Sequence, residues 1–326
     1  MKLKSKKKLL REILIIFVSF LVILLFNFLL PRLLPGDPVS NLIGIDLEYI
    51  PKEQYDFYYK SLGLDKNIFE QFFIYLGSLF NGTLGYSYQY NSNVSNLIGE
   101  YLPATLQITL PAFLISSIIA LSLGLYLTYK KNTPKDRIVM GLTIGINSFP
   151  SFLIGILLLI IFAFSLNWFP TNGLSSYSTN IPFLDRLWHL VLPVTALVFV
   201  LTPSKVLQVR NSASEEMKEK YVLYLKTSGV KYHTLMYKHV LSNSFQPYLT
   251  MIGLTFASSF SGSIIIENIF SIKGMGYLLV KAIRDLDYPT IQGCLFVTSL
   301  ILLGSILLID LLCYFLDPKL RRKENV

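Results

Sequence analysis

Six stretches of this chain are almost entirely apolar, and each is close to the length that crosses a bilayer. A helix needs about 20 apolar residues to span the hydrocarbon core. None of the six contains an internal Asp, Glu, Lys or Arg. The stretches are 13–30, 101–129, 138–166, 187–204, 248–266 and 291–309. They predict an all-α integral membrane protein with six transmembrane helices.

Composition supports the same fold class. Charged residues make up 15% of the 326 residues, whereas a soluble globular chain carries about 25%. The chain therefore lacks the polar surface of a soluble enzyme. The first apolar run follows a basic segment, but it is longer than the core of a secretory signal and lacks a small-residue cleavage pattern. We expect it to remain as the first span.

The positive charges predict the orientation. Alternate segments, beginning with the N-terminal tail, hold 21 of the 29 Lys and Arg residues. Because Lys and Arg mark the cytoplasmic side, both termini are expected inside the cell. The net charge of +9 is then a topological signal, and no nucleic-acid partner is expected. The predicted parts are a basic tail with the first span (1–30), an extracytoplasmic loop with short helices (31–100), a transmembrane core (101–315) and a cytoplasmic tail (316–326).

The first outer loop contains two predicted short helices. The first, 51–62, is stopped by Gly63, and the second, 67–80, is stopped by Asn81 and Gly82. Both are rich in Phe and Tyr. They are compatible with a small cap packed on the outer face and with a docking surface for an external partner.

The inner loop 205–247 combines seven basic residues with apolar residues at near-helical spacing. Gly229 interrupts the pattern as a helix C-cap does, and Pro247 opens the fifth span. A solvated linker does not need such a stripe. The pattern predicts an amphipathic helical hairpin that binds either the membrane surface or a groove on a partner.

Motifs for catalysis and metal binding are missing from the sequence. It has no phosphate-binding loop of the G-x-x-x-x-G-K-[ST] type and no zinc motif, and its three histidines are far apart. No enzyme activity, bound cofactor or metal site is expected. Ion-coupled carriers usually hold ionisable groups at mid-membrane, and the six stretches have none. Energy for uphill transport would have to come from another subunit.

Polar and kinked positions within the spans suggest a translocation path. Pro150 should kink the third span and free backbone carbonyls beside a cavity. Small residues in the fifth span fit either packing within the chain or a seam shared with a second subunit. The candidate path residues are Asn147, Ser148, Phe149, Pro150, Ser258 and Ser261.

Eight short motifs, in a fixed order, resemble the permease subunits of ATP-binding-cassette (ABC) importers of the peptide and nickel branch. They are LPGDP at 34–38, LGLD at 62–65, LGYS at 84–87, LPAT at 102–105, FPSF at 149–152, ENIF at 267–270, GMG at 274–276 and DYP at 287–289. The resemblance implies a type I importer permease fold. It covers the chain from about residue 30 to 318.

The resemblance also implies site residues. The inner hairpin corresponds to the loop that docks a coupling helix on the ATPase, which favours a partner over the membrane surface. Its candidate residues are Tyr221, Leu225, Lys226, Gly229, His239, Asn243 and Pro247. The last outer loop is expected to face the external binding protein through Glu267, Phe270, Gly274, Gly276 and Asp287. Leu225 and Thr227 stand where relatives have small residues, and Lys273 replaces a usual proline.

The implied function is half of a pore in the inner membrane, driven by ATP bound with Mg²⁺ to separate subunits. The implied partners are membrane lipid, a second permease, two ATPase subunits and an extracytoplasmic binding protein. The substrates expected are peptides, nickel or metal chelates, and the sequence leaves these open. The alternative function is an ATP-independent channel or secondary carrier.

Overall fold

The structure is a computed structural model that describes residues 14, 18–44, 47–176 and 182–316. It is helical, with one short antiparallel β-hairpin. The predicted basic tail and most of the predicted C-terminal tail lie outside these residues. The helices are α1 Val18–Leu33, α2 Pro38–Ile43, α3 Lys52–Ser61, α4 Ile68–Phe80, α5 Val94–Tyr129, α6 Pro134–Ser148, α7 Ser151–Ser165, α8 Pro182–Glu216, α9 Lys220–Thr227, α10 Leu241–Asn243, α11 Phe245–Ile269, α12 Met275–Arg284 and α13 Tyr288–Leu316.

Short irregular elements complete the chain. The strands β1, Tyr86–Ser87, and β2, Ser92–Asn93, pair antiparallel. A 3-10 turn spans Leu47–Tyr49, and another forms the last turn of α1. The segments Leu159–Ser165, within α7, and Thr234–Val240, before α10, are π-helical.

Within the described residues, four helices are long and apolar enough to cross a membrane: Val94–Tyr129, Phe183–Glu216, Pro247–Ile269 and Tyr288–Ile309. Helix α1, the described part of the first predicted span, is a shorter apolar helix. The third predicted span is a pair of helices, α6 and α7, bent by 99°. The kink predicted at Pro150 is therefore present, as a break between two helices rather than a bend within one. The break follows from Pro150, because Phe149 before it is extended, with φ −78° and ψ 136°, as a residue preceding proline prefers.

The fourth predicted span, 187–204, is shorter than the helix in the structure. Helix α8 continues to Glu216 and includes both Pro193 and Pro203. Lys205 ends the charge-free run in the sequence, but the apolar periodicity continues through buried Val206, Val209 and Ala213. Twelve residues assigned to the inner loop are therefore the last three turns of a long helix.

The described residues form two compact units. The first takes residues from Met1–Pro103 and Tyr277–Leu300, and the second from Ala104–Gly276 and Ile301–Val326. The outer segment 31–100 is thus part of a larger unit. In the second unit, α8 packs against α6, α7 and α11. Gly124 lets α5 approach α8 closely, because a Cβ there would lie 2.7 Å from a Val209 methyl.

The first unit holds both outer-loop helices at the predicted positions. Side chains of α4 pack against Phe28 of α1, whose ring lies 5.1 Å from that of Phe72. Gly293 of α13 packs directly on Val94 at the start of α5. Asp287 accepts hydrogen bonds from the hydroxyls of Ser87, at 2.5 Å, and Thr290, at 2.6 Å. Burial raises the pKa of this carboxyl group.

Candidate functional site

The inner hairpin is built on an apolar cluster at one end of the second unit. Helix α9 and the segment Thr234–Val240 contribute Val222, Leu235, Met236 and Val240, all buried. They pack against Leu125, Val209, Ala213 and Met251 of α5, α8 and α11. The predicted apolar stripe therefore anchors the hairpin to its own chain.

Gly229 ends α9 in the left-handed conformation that the sequence predicted. Its φ is +75°, and Val230 N donates to Leu225 O at 3.2 Å to close the turn. A Cβ at Gly229 would meet no atom within 4 Å. Glycine is thus favoured by backbone conformation alone, since side-chain-bearing residues rarely adopt a positive φ.

The outward face of α9 differs from the predicted one. Leu225 is half-buried against the apolar cluster, so its assignment to the docking face is corrected. Leu223 is 66% exposed and Tyr224 is 71% exposed. Together with exposed Lys220 and Thr227, they recur at the three- and four-residue spacing that forms one helix face.

Two predicted residues are joined by hydrogen bonds at the base of the hairpin. Tyr221 Oη donates to Glu216 Oε1 at 2.5 Å, and Asn243 Nδ2 donates to Tyr221 Oη at 2.8 Å and to His239 O at 3.3 Å. Burial, and then the bond to the Glu216 carboxylate, raise the pKa of Tyr221 to about 12. The phenol therefore stays protonated at neutral pH and links α8, α9 and α10.

The remaining predicted hairpin residues are on the surface. Lys226 is exposed at the end of α9, His239 is half-buried, and Pro247 is exposed in the first turn of α11. Proline is accommodated there because the amides of the first turn have no partner within the helix.

The candidate path residues face outward from the chain. Asn147, Ser148, Phe149 and Pro150 are exposed at the junction of α6 and α7. Ser258 and Ser261 are exposed on α11, where they form a stripe with Leu254 and Ile265. Gly253 instead packs inward, with Ile309 of α13 2.8 Å from its Cβ position. Small residues of α11 are therefore found both on its exposed face and on the face that packs against α13.

Glu267 of the predicted outer loop is in the last turn of α11 and is fully buried. Its Oε1 accepts a hydrogen bond from Ser263 Oγ at 3.0 Å. A Cβ at Gly274 would overlap the Glu267 carboxylate, and one at Gly276 would lie 2.6 Å from Ile264 Cα. Both glycines are needed so that the loop can close over this carboxylate.

All five residues expected to face the external binding protein are buried within the chain. Besides Glu267 and the two glycines, these are Phe270 and Asp287. Their predicted direct contact with an outside partner is corrected, because buried positions are not available to it. Exposed neighbours such as Ser271 and Lys273 are the ones available to a partner.

Sequence reasoning missed a buried lysine. Lys205 was assigned to the inner loop 205–247, but it is fully buried within α8. Its Nζ donates to Ser116 Oγ at 2.8 Å, Ser117 Oγ at 2.9 Å and Phe113 O at 3.3 Å, and it lies 4.3 Å from the Phe113 ring centroid. The pair of serines within an apolar span was the available signal. The long helix α8 therefore contains an ionisable residue, contrary to the charge-free interior that was expected.

A second missed contact joins α6 to α8. Arg210 Nη2 and Nε donate to the two carboxylate oxygens of Asp136, at 2.9 and 3.1 Å. Bidentate pairs of this kind are stronger than ion pairs with a single contact. Within the described part of the chain, no three His, Cys, Asp or Glu side chains converge to hold a metal ion.

The geometry is that of a helical membrane protein with an amphipathic hairpin at one end. Family comparison matches residues 118–322 to "binding-protein-dependent transport system inner membrane component" and residues 6–109 to the N-terminal region of such membrane components. The chain belongs to this family. It is therefore a multi-pass membrane permease of an ABC transport system.

Three relatives cover nearly the whole chain. A dipeptide transport system permease protein of Lactococcus lactis is 31% identical over 97% of this chain and 99% of its own length. A putative peptide transport system permease protein of Brucella abortus is 32% identical over 92% and 94%, respectively. A di/tripeptide transport system permease protein of Pseudomonas aeruginosa is 31% identical over 94% and 96%.

Proposed function

We propose that this permease forms half of the pore of an ATP-driven importer of short peptides. The names of the three relatives, which refer to dipeptides, di/tripeptides and peptides, support peptides over nickel or metal chelates. Their near-complete coverage of the chain supports the same role for the whole protein. ATP and Mg²⁺ are bound by two partner ATPase subunits, and an extracytoplasmic binding protein delivers the substrate.

The observation that carries the proposal is the outward face of α9. Leu223 and Tyr224 are large and exposed, while the opposite side of the helix is anchored in the apolar cluster. A helix held in this way can transmit force, because movement of its outer face must move the ends of α5, α8 and α11. Movements of an ATPase bound to this face would thus be transmitted to the membrane-spanning helices.

The exposed path residues support a pore shared with a second permease. Serine and asparagine side chains at membrane depth are unfavourable against lipid and are expected to line a water-filled path or a protein interface. Ser258 and Ser261 occupy the middle of the exposed stripe on α11. A second, homologous permease facing this stripe would enclose them.

The test is uptake of labelled di- and tripeptides into proteoliposomes. Vesicles containing this chain, a second permease and the ATPases should accumulate peptide when binding protein and ATP are supplied. Vesicles without the ATPases should not. Transport by this chain alone, without ATP, would instead establish the alternative of a channel or secondary carrier, and preference for a nickel chelate over peptide would overturn the substrate.

A further inference from the structure

Helix α4 packs along α1, the described part of the first predicted span. Arg32 Nε and Nη2 of α1 donate to Gln71 Oε1 of α4, at 3.1 and 2.7 Å. One turn earlier in α1, the ring of Phe28 contacts those of Phe72 and Tyr75, at 5.1 and 5.9 Å. Residues further along α4 therefore contact residues closer to the N-terminal end of α1.

This packing continues to the depth of the hydrocarbon core. The cluster that contains Phe28 and Tyr75 also includes Leu24 of α1 and Phe296 of α13. Leu24 is eight residues before Arg32, which corresponds to about 12 Å along a helix. Phe296 lies within the spanning segment Tyr288–Ile309. Helix α4 thus lies beside apolar side chains of α1 and of the spanning helix α13.

The opposite side of α4 is apolar and uncovered. Phe69, Phe73 and Phe80 are 74%, 69% and 90% exposed. At 3.6 residues per turn, these three positions fall within roughly 40° of arc. The sequence contains no charged residue from Gln71 to Gly99. An uncovered aromatic surface of this kind marks contact with a partner or with lipid.

Helix α3, in the same unit, has the opposite character. It carries Lys52, Glu53, Asp56 and Lys60 within ten residues. Its Phe57 is 65% exposed, nearly the same as Phe73, but lies among charged side chains. The two adjacent helices therefore provide a comparison between a hydrated surface and an apolar one.

We propose that the outward face of α4 is embedded in the lipid acyl chains of the leaflet into which α1 emerges. Leu21, Leu25 and Phe26 of α1, the helix against which α4 packs, are also exposed. A soluble binding protein that docks and leaves would expose three phenylalanines to water in every cycle. It would also find a single charged side chain on α4, Glu70 in the first turn, and none from Gln71 to Phe80, whereas protein interfaces normally have a polar rim. The inference concerns membrane insertion and is independent of the transported substrate.

Spin-label accessibility tests this proposal. The two native cysteines, Cys294 and Cys313, are replaced by alanine. Phe73→Cys or, as the matched control, Phe57→Cys is introduced into the full-length chain. Each labelled chain is reconstituted into phosphatidylcholine vesicles and exposed to oxygen, which partitions into lipid, and to a nickel chelate that stays in water.

The expected result is strong relaxation of the Phe73→Cys label by oxygen and little by the nickel chelate, with the reverse at Phe57→Cys. Equal nickel accessibility at the two sites would overturn the proposal, because α4 would then lie in water. Low accessibility to both reagents at Phe73→Cys would also overturn it, because protein would then cover the face. Phe69→Cys, on the same face, repeats the test should Phe73→Cys fail to fold.

Discussion

Lys205 is held inside the second unit by neutral oxygen atoms. Three acceptors lie within 3.3 Å of its ammonium group, and no carboxylate in the described residues forms a salt bridge with it. A buried charge is tolerated only when its hydrogen-bonding capacity is filled. The two serine hydroxyls are therefore more important to stability than their size suggests.

This arrangement predicts an unequal pair of variants. Ser116→Ala combined with Ser117→Ala leaves the charge without two of its acceptors and should destabilise the protein by about 2–5 kcal/mol. Lys205→Met keeps the apolar stem and removes the charge, and both serines retain bonds to Phe113 O. It should change stability by about 1 kcal/mol or less. Thermal unfolding in detergent compares the two, and an equal loss would contradict the assigned role of the serines.

Gly229 gives a second prediction at this scale. Gly229→Ala should weaken the α9 turn by about 1–2 kcal/mol, because alanine disfavours a positive φ. Gly229→Asn should retain more stability, since asparagine tolerates the left-handed region. Membrane insertion should be unchanged, while ATPase co-purification should follow the order Gly, Asn, Ala. Equal binding by all three would show that the turn does not position the docking face.

At the scale of elements, α9 has one face for its own chain and one for a partner. Leu223→Glu places a charge on the exposed face. It should reduce ATPase binding at least tenfold, given that each 1.4 kcal/mol changes affinity tenfold, and leave the melting temperature unchanged. Leu225→Glu, two residues later, should lower the melting temperature because it forces a charge against the apolar cluster.

Co-purification of the ATPase and thermal unfolding, measured on both variants, provide the check. If Leu225→Glu lost the ATPase at normal stability while Leu223→Glu bound normally, the original assignment of Leu225 to the docking face would be restored.

Much of the helix pattern could be predicted because its signals are local. Gly229 ends α9 where the apolar stripe is interrupted, and the two outer helices begin and end near the predicted positions. The length of α8 could not be predicted in the same way. In the sequence, Lys205 looks like the end of a span. Its burial is explained only by hydrogen bonds to Ser116 and Ser117, which lie nearly 90 residues earlier in the chain.

The burial of the outer motif has the same explanation. Gly274 and Gly276 were identified as part of a motif, but their function depends on the Glu267 carboxylate that packs against them. That requirement arises from three-dimensional contact with the end of α11. A pattern of residue types cannot distinguish a loop that faces a partner from one that closes over its own helix.

For the whole molecule, the bent pair α6 and α7 determines on which side of the membrane each later segment lies. Each of α6 and α7 has 15 residues, or about 22 Å of helix, which is shorter than the ~30 Å hydrocarbon core. If both helices are inclined from the membrane normal by half of the 99° bend, together they rise about 29 Å. The pair is therefore long enough to cross once, in agreement with the excess of basic residues before it.

Cysteine labelling measures this directly. In a background without Cys294 and Cys313, cysteines at Lys131 and Lys231 should be protected from a membrane-impermeant reagent in intact cells. Those at Lys60 and Ser176 should react. All four positions are exposed, so burial within the chain cannot account for protection. The comparison of Lys131 with Ser176 is decisive, because these positions flank the bent pair. Equal labelling of the two would mean that α6 and α7 re-enter the same face, and α8 and the docking helix α9 would then be on the opposite sides from those assigned here.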